Sequence, residues 1–177
     1  MQKILYTIPL YIFIVVTLVL FYFLFIERDP SELPSVMINK QTPYFEGISL
    51  TKNKKINSKE IFKDSIVVVN FFATWCIPCR LEHTFIEKIS ENEKIKVVGI
   101  NYKDDSSEAI KWLQELGNPY KDVISDSDGR IAIELGVYGI PETFIVNSKG
   151  IIKYRHLGPI IKNEYKDFIK ELKKINE

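Results

Sequence analysis

Hydrophobic positions along the chain follow two regimes. Ile4 to Ile26 is a continuous apolar stretch of 23 residues without a charged side chain. At about 1.5 Å per residue it makes a helix of roughly 34 Å, which predicts one membrane-crossing helix. Beyond Pro43 the apolar residues break into short runs whose period switches between two and 3.6. Tyr44 to Ile56 alternates weakly around the polar turn Lys52-Asn53-Lys54-Lys55 and predicts a hairpin. Asn57 then serves as N-cap, with Glu60 three residues on, for a short helix around Lys59 to Phe62. Ile66 to Phe72 is a β-branched and aromatic run, too short for a core helix and too apolar for a half-exposed strand, and so reads as a strand buried on both faces. Leu81, Phe85, Ile86 and Ile89 recur at helical spacing up to Asn92. A strand from Ile95 to Tyr102 follows, then a helix capped at Asp105 or Ser106, with Ala109, Ile110, Leu113 and Leu116 on its apolar face, stopped by Gly117 and Pro119. Val123-Ile124 predicts a short strand, Asp126 to Gly129 a turn, Ile131 to Leu135 a helical turn or two, and Thr143 to Val146 a strand. Asn147 to Gly150 joins that strand to Ile151 to His156 as a hairpin, and a last helix places Tyr165, Phe168, Ile169 and Leu172 on one side. Strands trading places with helices predict an α/β fold with a mixed sheet flanked by helices.

Three segments follow: an anchor with a short cytoplasmic start at 1–26, a linker at 27–42 containing Pro30 and Pro34, and a folded domain at 43–177. A cleaved signal peptide would have a shorter apolar core and a small-x-small site. The stretch after Ile26, Glu27-Arg28-Asp29-Pro30, offers none, so the anchor is expected to stay attached. Lys3 before the span places the N-terminus in the cytoplasm and residues 27–177 outside. In a bacterium this is an inner-membrane protein with its domain facing the periplasm. With 46% hydrophobic and 27% charged residues, 8 Gly and 8 Pro, disorder and collagen are excluded, and a net charge of +1 gives no sign of nucleic-acid binding.

Two cysteines change the picture. Cys76 and Cys79 enclose only two residues, so a bridge between them removes little entropy from the unfolded chain and is a poor staple. A zinc site needs four ligands, and only these two with His83 and His156 are candidates. Redox chemistry fits better, because the pair sits where a buried strand hands over to a helix. A thiolate there meets the positive end of the helix dipole and unpaired N–H groups, which lower its pKa. Cys76 occupies that place as the attacking thiol. Cys79, one turn further in and more buried, can resolve a mixed disulfide on Cys76. Pro78 sets a helix-compatible φ, and Trp75 covers the site and offers an aromatic surface to a peptide. Taken alone, Ile140-Pro141 is a turn before a strand, and Glu82 and Glu142 read as solvated surface acids.

The segment Phe72-Ala73-Thr74-Trp75-Cys76-Ile77-Pro78-Cys79-Arg80 resembles the active-site stretch of the thioredoxin fold. Gly136 to Ile145, with Cys79-Arg80-Leu81-Glu82-His83 and Asn101-Tyr102-Lys103-Asp104-Asp105, resembles the CcmG/DsbE thiol:disulfide interchange proteins of cytochrome c maturation, from about Pro43 to the last helix. The resemblance implies a thioredoxin-like fold and a cis Pro141 facing the dithiol, with Trp75, Tyr138 and Pro141 as the substrate-binding surface. Ordinary thioredoxins carry a buried aspartate where this chain has Asn70, which cannot titrate. Glu82 and Glu142, matching acidic positions of the pattern, are the expected replacement bases. His83 is expected to be partly exposed. The implied activity is reduction of the CxxCH disulfide of apocytochrome c, or of a thiol partner of the maturation machinery, with electrons from a DsbD-type membrane donor. No metal or organic cofactor is implied beyond the Cys76–Cys79 disulfide. A general periplasmic oxidant or isomerase, and a non-redox module presenting apocytochrome or haem, are the alternatives.

Overall fold

The computed structural model describes residues 2–25, 37–92 and 95–176. They divide into two units, Met1–Pro34 and Ser35–Glu177. In the first, α1 runs Gln2–Phe25. Among the described residues no helix is long and apolar enough to cross a membrane. Most of the expected linker, residues 27–36, lies outside the described residues. Its end belongs to the folded unit: the Asn39 N–H donates to Ile152 O (2.7 Å), Ile152 N–H to Lys40 O (3.0 Å) and Thr42 N–H to Gly150 O (2.8 Å).

The second unit is built on one mixed sheet. Its strands are β1 (Glu46–Ser49), β2 (Lys54–Asn57), β3 (Val67–Phe72), β4 (Lys96–Tyr102), β5 (Asp122–Asp126), β6 (Glu142–Val146) and β7 (Ile152–Leu157), in the order β2-β1-β5-β4-β3-β6-β7. β3 lies between a parallel β4 and an antiparallel β6, and all six of its residues are buried, as a continuous apolar run requires. The helices are α2 (Ser58–Ile61), α3 (Ile77–Asn92), α4 (Ser106–Leu116), α5 (Arg130–Glu134) and α6 (Lys162–Asn176). Asn57 caps α2 by accepting the Glu60 N–H, and Asp105 caps α4 by accepting from Ser107 and Glu108. The α/β fold with a mixed sheet expected from the alternation of elements is the fold found, in the thioredoxin-like form that the resemblance implied.

Strand alternation divides β3 between two cores. Val67, Val69 and Phe71 enter one cluster with Phe144 and Ile124, while Val68 and Phe72 enter the other with Cys76, Cys79, Ile86 and Phe168. Asn70 shares the parity of Val68 and Phe72, so its amide faces the cluster that holds the cysteines.

Two helix faces differ from the expected ones. On α3 the buried stripe is Cys79, Glu82, His83, Ile86 and Ile89, while Leu81, expected on it, is exposed. Its place is taken by two polar side chains that find partners inside. On α4 the buried residues are Ala109, Trp112 and Leu113, and Ile110 turns outward, because Trp112 stacks on Phe72 at 5.6 Å.

Gly99 on β4 makes room for the aromatic stack over the second core. A Cβ there would lie 2.8 Å from Phe72 Cε1 and 3.0 Å from Tyr120 Cγ. Those rings are themselves stacked, with centroids 5.0 Å apart, and neither can yield without moving the other. Gly99→Ala is therefore expected to destabilise the domain by about 1–3 kcal/mol, read from denaturant midpoints at unchanged m-value.

Candidate active site

β3 ends at Phe72 and α3 begins at Ile77. Cys76 is the residue immediately before that helix, held by its N–H on Ala73 O (3.2 Å). Cys76 and Cys79 are joined by a disulfide, with Cα atoms 5.3 Å apart, and both are buried. The Cys79 N–H points at Cys76 Sγ (3.2 Å), the donor that would stabilise a thiolate on Cys76 once the bridge is reduced. The preceding turn is fastened by Asp104, which accepts the Thr74 N–H (2.6 Å), the Thr74 hydroxyl (2.8 Å) and the Asn101 amide (2.8 Å). Trp75 donates its indole N–H to Lys103 O (3.1 Å) and stays 57% exposed, a platform beside the dithiol.

Behind the dithiol lies a buried acid. Glu82 follows Cys79 by three residues on α3, the interval that places side chains on one face. Its two oxygens accept the Asn70 amide (2.8 Å) and the Ile160 N–H (2.9 Å). Asn70 donates its second N–H to Thr143 Oγ1 (3.0 Å) and accepts the Tyr120 hydroxyl (2.7 Å). The register pairs Asn70 with Thr143 directly across β3 and β6. Burial pushes the Glu82 carboxyl up to about 7 against the pull of its two hydrogen bonds, and among the described residues no cation opposes that rise. Burial also raises the Tyr120 hydroxyl well above its usual value, so it stays a neutral donor.

Glu142 is buried as well, so neither acid is solvated. It accepts from Arg155 Nε and from the Tyr138 N–H (3.2 Å). Burial raises its pKa while the guanidinium pulls it down. Glu142 thereby ties together β6, β7 and the loop that carries Tyr138. The Ile140–Pro141 bond is cis, as the resemblance implied. Tyr138 is exposed, and Ile140 packs against the cluster that contains the cysteines.

His83, expected to be partly exposed, is buried. Its Nε2 lies 3.0 Å from Gly117 O and its ring meets Trp112 edge-on at 4.5 Å. Burial lowers its pKa, so it is a neutral core histidine. Arg155, Tyr120, Thr143 and Asp104 carry no role in the sequence reading. For Arg155 the β6–β7 pairing was the available signal: Phe144 faces Arg155 and Glu142 faces Leu157, which makes Arg155 and Glu142 diagonal neighbours.

The sequence model of the Redoxin family matches residues 37–171. The thiol:disulfide interchange protein DsbE of Pseudomonas fluorescens biotype C is 40% identical over 167 residues, covering 94% of this chain and 92% of its own. The chain belongs to the DsbE-type thiol:disulfide interchange family. DsbE of Escherichia coli K12 is 43% identical over 145 residues, covering 81% of this chain and 78% of its own. A secreted thiol-disulfide isomerase of Corynebacterium glutamicum superposes with a TM-score of 0.68 at 26% identity, covering 77% of this chain and 86% of that structure.

As a DsbE-type oxidoreductase, the chain exchanges thiols and disulfides, and its two cysteines lie in unlike surroundings. Cys76 needs donors that favour its thiolate, which the helix start provides. Cys79 sits inside the core, three residues before the buried Glu82 on the same helix. Of the two acids only Glu82 lies on the helix of Cys79 without a paired cation, and a group with a pKa of about 7 exchanges protons near neutrality. The release step in Glu82→Gln should therefore lose its rise through about pH 7 and shift towards the ordinary thiol value of about 8.5. Stopped-flow release from a mixed disulfide on Cys76 measures it, and a profile identical to the parent would remove Glu82 from the step.

Stability carries a second signature. Between about pH 4.5 and 7 the folded protein holds a proton on Glu82 that the unfolded chain has lost, so this group's contribution falls as pH rises through that window. His83 and His156, whose pKa values burial lowers from 6.5, act oppositely as pH falls through that value and are common to both proteins. The melting temperature of Glu82→Gln relative to the parent should thus climb between pH 4.5 and 7.5. A flat difference would mean that Glu82 is charged throughout.

Proposed function

We propose that this oxidoreductase is a membrane-anchored, periplasm-facing reductant that opens the CxxCH disulfide of apocytochrome c, or of a thiol partner in cytochrome c maturation, and is recharged by a DsbD-type membrane donor. The observation that carries the reading is the buried Glu82 carboxyl, tied to Asn70 and one helical interval from Cys79. It supplies the proton acceptor for a resolving thiol that a docked partner has sealed from water. The resemblance of Gly136 to Ile145 to the cytochrome c maturation family supports the substrate class. Anchoring is supported by the charge-free run from Ile4 to Ile26 and by α1. The Pseudomonas relative also matches 94% of this chain, which takes in much of that helix.

The chemistry runs in two exchanges. Cys76 thiolate attacks one sulfur of the substrate disulfide, a Cys76–substrate bond forms and the other substrate sulfur leaves as a thiolate that takes up a proton. Cys79, its proton passed to Glu82, then attacks Cys76 Sγ and expels the second substrate thiolate, which is protonated in turn. The substrate gains two electrons and two protons. The protein ends with the Cys76–Cys79 disulfide, the state in which the two sulfurs are seen here. Trp75, Tyr138 and Pro141 border the substrate, and the backbone beside Pro141 pairs with the bound segment as an added strand.

The test is to trap the intermediate. Full-length Cys79→Ser, acid-quenched in cells, should accumulate apocytochrome c or its dedicated thiol partners on Cys76. A broad set of unrelated secreted proteins would indicate a general exchanger instead. Cytochrome c assembly sustained by a Cys76→Ser, Cys79→Ser double variant would indicate a binding module without turnover.

A further inference from the structure

Dithiol exchange makes no use of the buried cation Arg155, whose contacts converge on the loop that carries Tyr138. Its Nε donates to Glu142, its Nη2 donates to Gly136 O at 3.1 Å, and its guanidinium carbon lies 4.5 Å from the centroid of the Tyr138 ring. The Arg155 side chain is 3% exposed while Tyr138 is 61% exposed. The guanidinium therefore covers the inner side of the ring, and the outer side is left to water. Both Glu142 oxygens are engaged, one with Arg155 Nε and the other with the Tyr138 N–H. Glu142 balances the charge of Arg155, but it is the guanidinium that lies over the ring face.

An aromatic face attracts a cation through its quadrupole. Here that attraction is already satisfied from inside. A second cation approaching the outer face would meet the field of the first through the ring, whereas an aliphatic or aromatic side chain stacks with no such opposition. We propose that Arg155 is a specificity-determining residue that acts through Tyr138, making the outer ring face favour uncharged side chains over Lys or Arg beside the substrate disulfide. This rests on the reading of Tyr138 as a substrate contact, and the experiment separates the two.

Reduced full-length protein is oxidised by two cyclic Cys-x-x-Cys disulfide peptides that differ only in the residue after the second cysteine, Leu in one and Lys in the other. The ratio of their second-order rate constants at fixed ionic strength is the readout, since a loss of active protein scales both alike. The parent should favour the Leu peptide by about fivefold, Arg155→Lys should keep that preference, and Arg155→Met and Tyr138→Ala should bring the ratio to within about twofold. If Arg155→Met does not fold because Glu142 is left unpaired, the double variant Arg155→Met, Glu142→Gln removes both charges and is read in the same way. A preference lost in Tyr138→Ala but kept without Arg155 would overturn the inference and leave the contact reading standing. The same ratio in all variants would overturn both, and no preference in the parent would overturn the inference.

Discussion

A carboxyl group placed inside a hydrophobic core has to be hydrogen-bonded there, or its burial costs the fold several kcal/mol. Glu82 meets that condition through two donors from distant parts of the chain, the Asn70 amide in the middle of β3 and the Ile160 N–H at the entry to α6. Satisfying it fixes much else. Asn70 must face the cysteine side of the sheet, Thr143 must sit across from it on β6, and Tyr120 must bring its hydroxyl to the remaining amide oxygen. The Tyr120 ring then stacks on Phe72 above Gly99, where a side chain would not fit. A single polar chain, Glu82–Asn70–Tyr120, thus joins the helix of the dithiol, the central strand and the far side of the core.

The two buried acids show how one residue type takes two roles by its neighbours. Glu142 shares its burial with a guanidinium, and its oxygens fasten a loop. Glu82 has amides but, among the described residues, no cation against it, and its pKa rises to about 7. Opposite charge favours the ionised form, and burial without it favours the neutral one. Burial raises both carboxyls, but only at Glu142 does a guanidinium oppose the rise.

The rim of the site is held separately. Asp104 fastens the turn before the cysteines, the indole of Trp75 is fastened to Lys103, and Arg155 with Glu142 fastens the loop before cis-Pro141. Two exposed rings, Trp75 and Tyr138, are thus presented from well-held supports.

The order of strands and helices, the caps at Asn57 and Asp105, and the Cys76–Cys79 pair at a helix start follow from local pattern, because period, capping chemistry and spacing are properties of neighbouring residues. Glu82 and Glu142 were legible as site residues only through the resemblance, since the helical pattern alone places Glu82 among solvated acids and Leu81 in the core. Packing reversed that placement: the face of α3 turned to the sheet is set by Cys79, Ile86 and Ile89, and Glu82 and His83 fall on it with partners waiting. Nothing local marks Tyr120, Thr143 or Arg155 either. Their roles arise from sheet register and from contacts across 50 residues of chain, such as the hydrogen bond between Tyr120 and Asn70. The sequence by itself determined the elements and the reactive pair. Which polar groups are buried together, and so which acid is paired and which is left to titrate, was decided by tertiary structure, because desolvation and opposite charge are set by groups that only folding brings into contact.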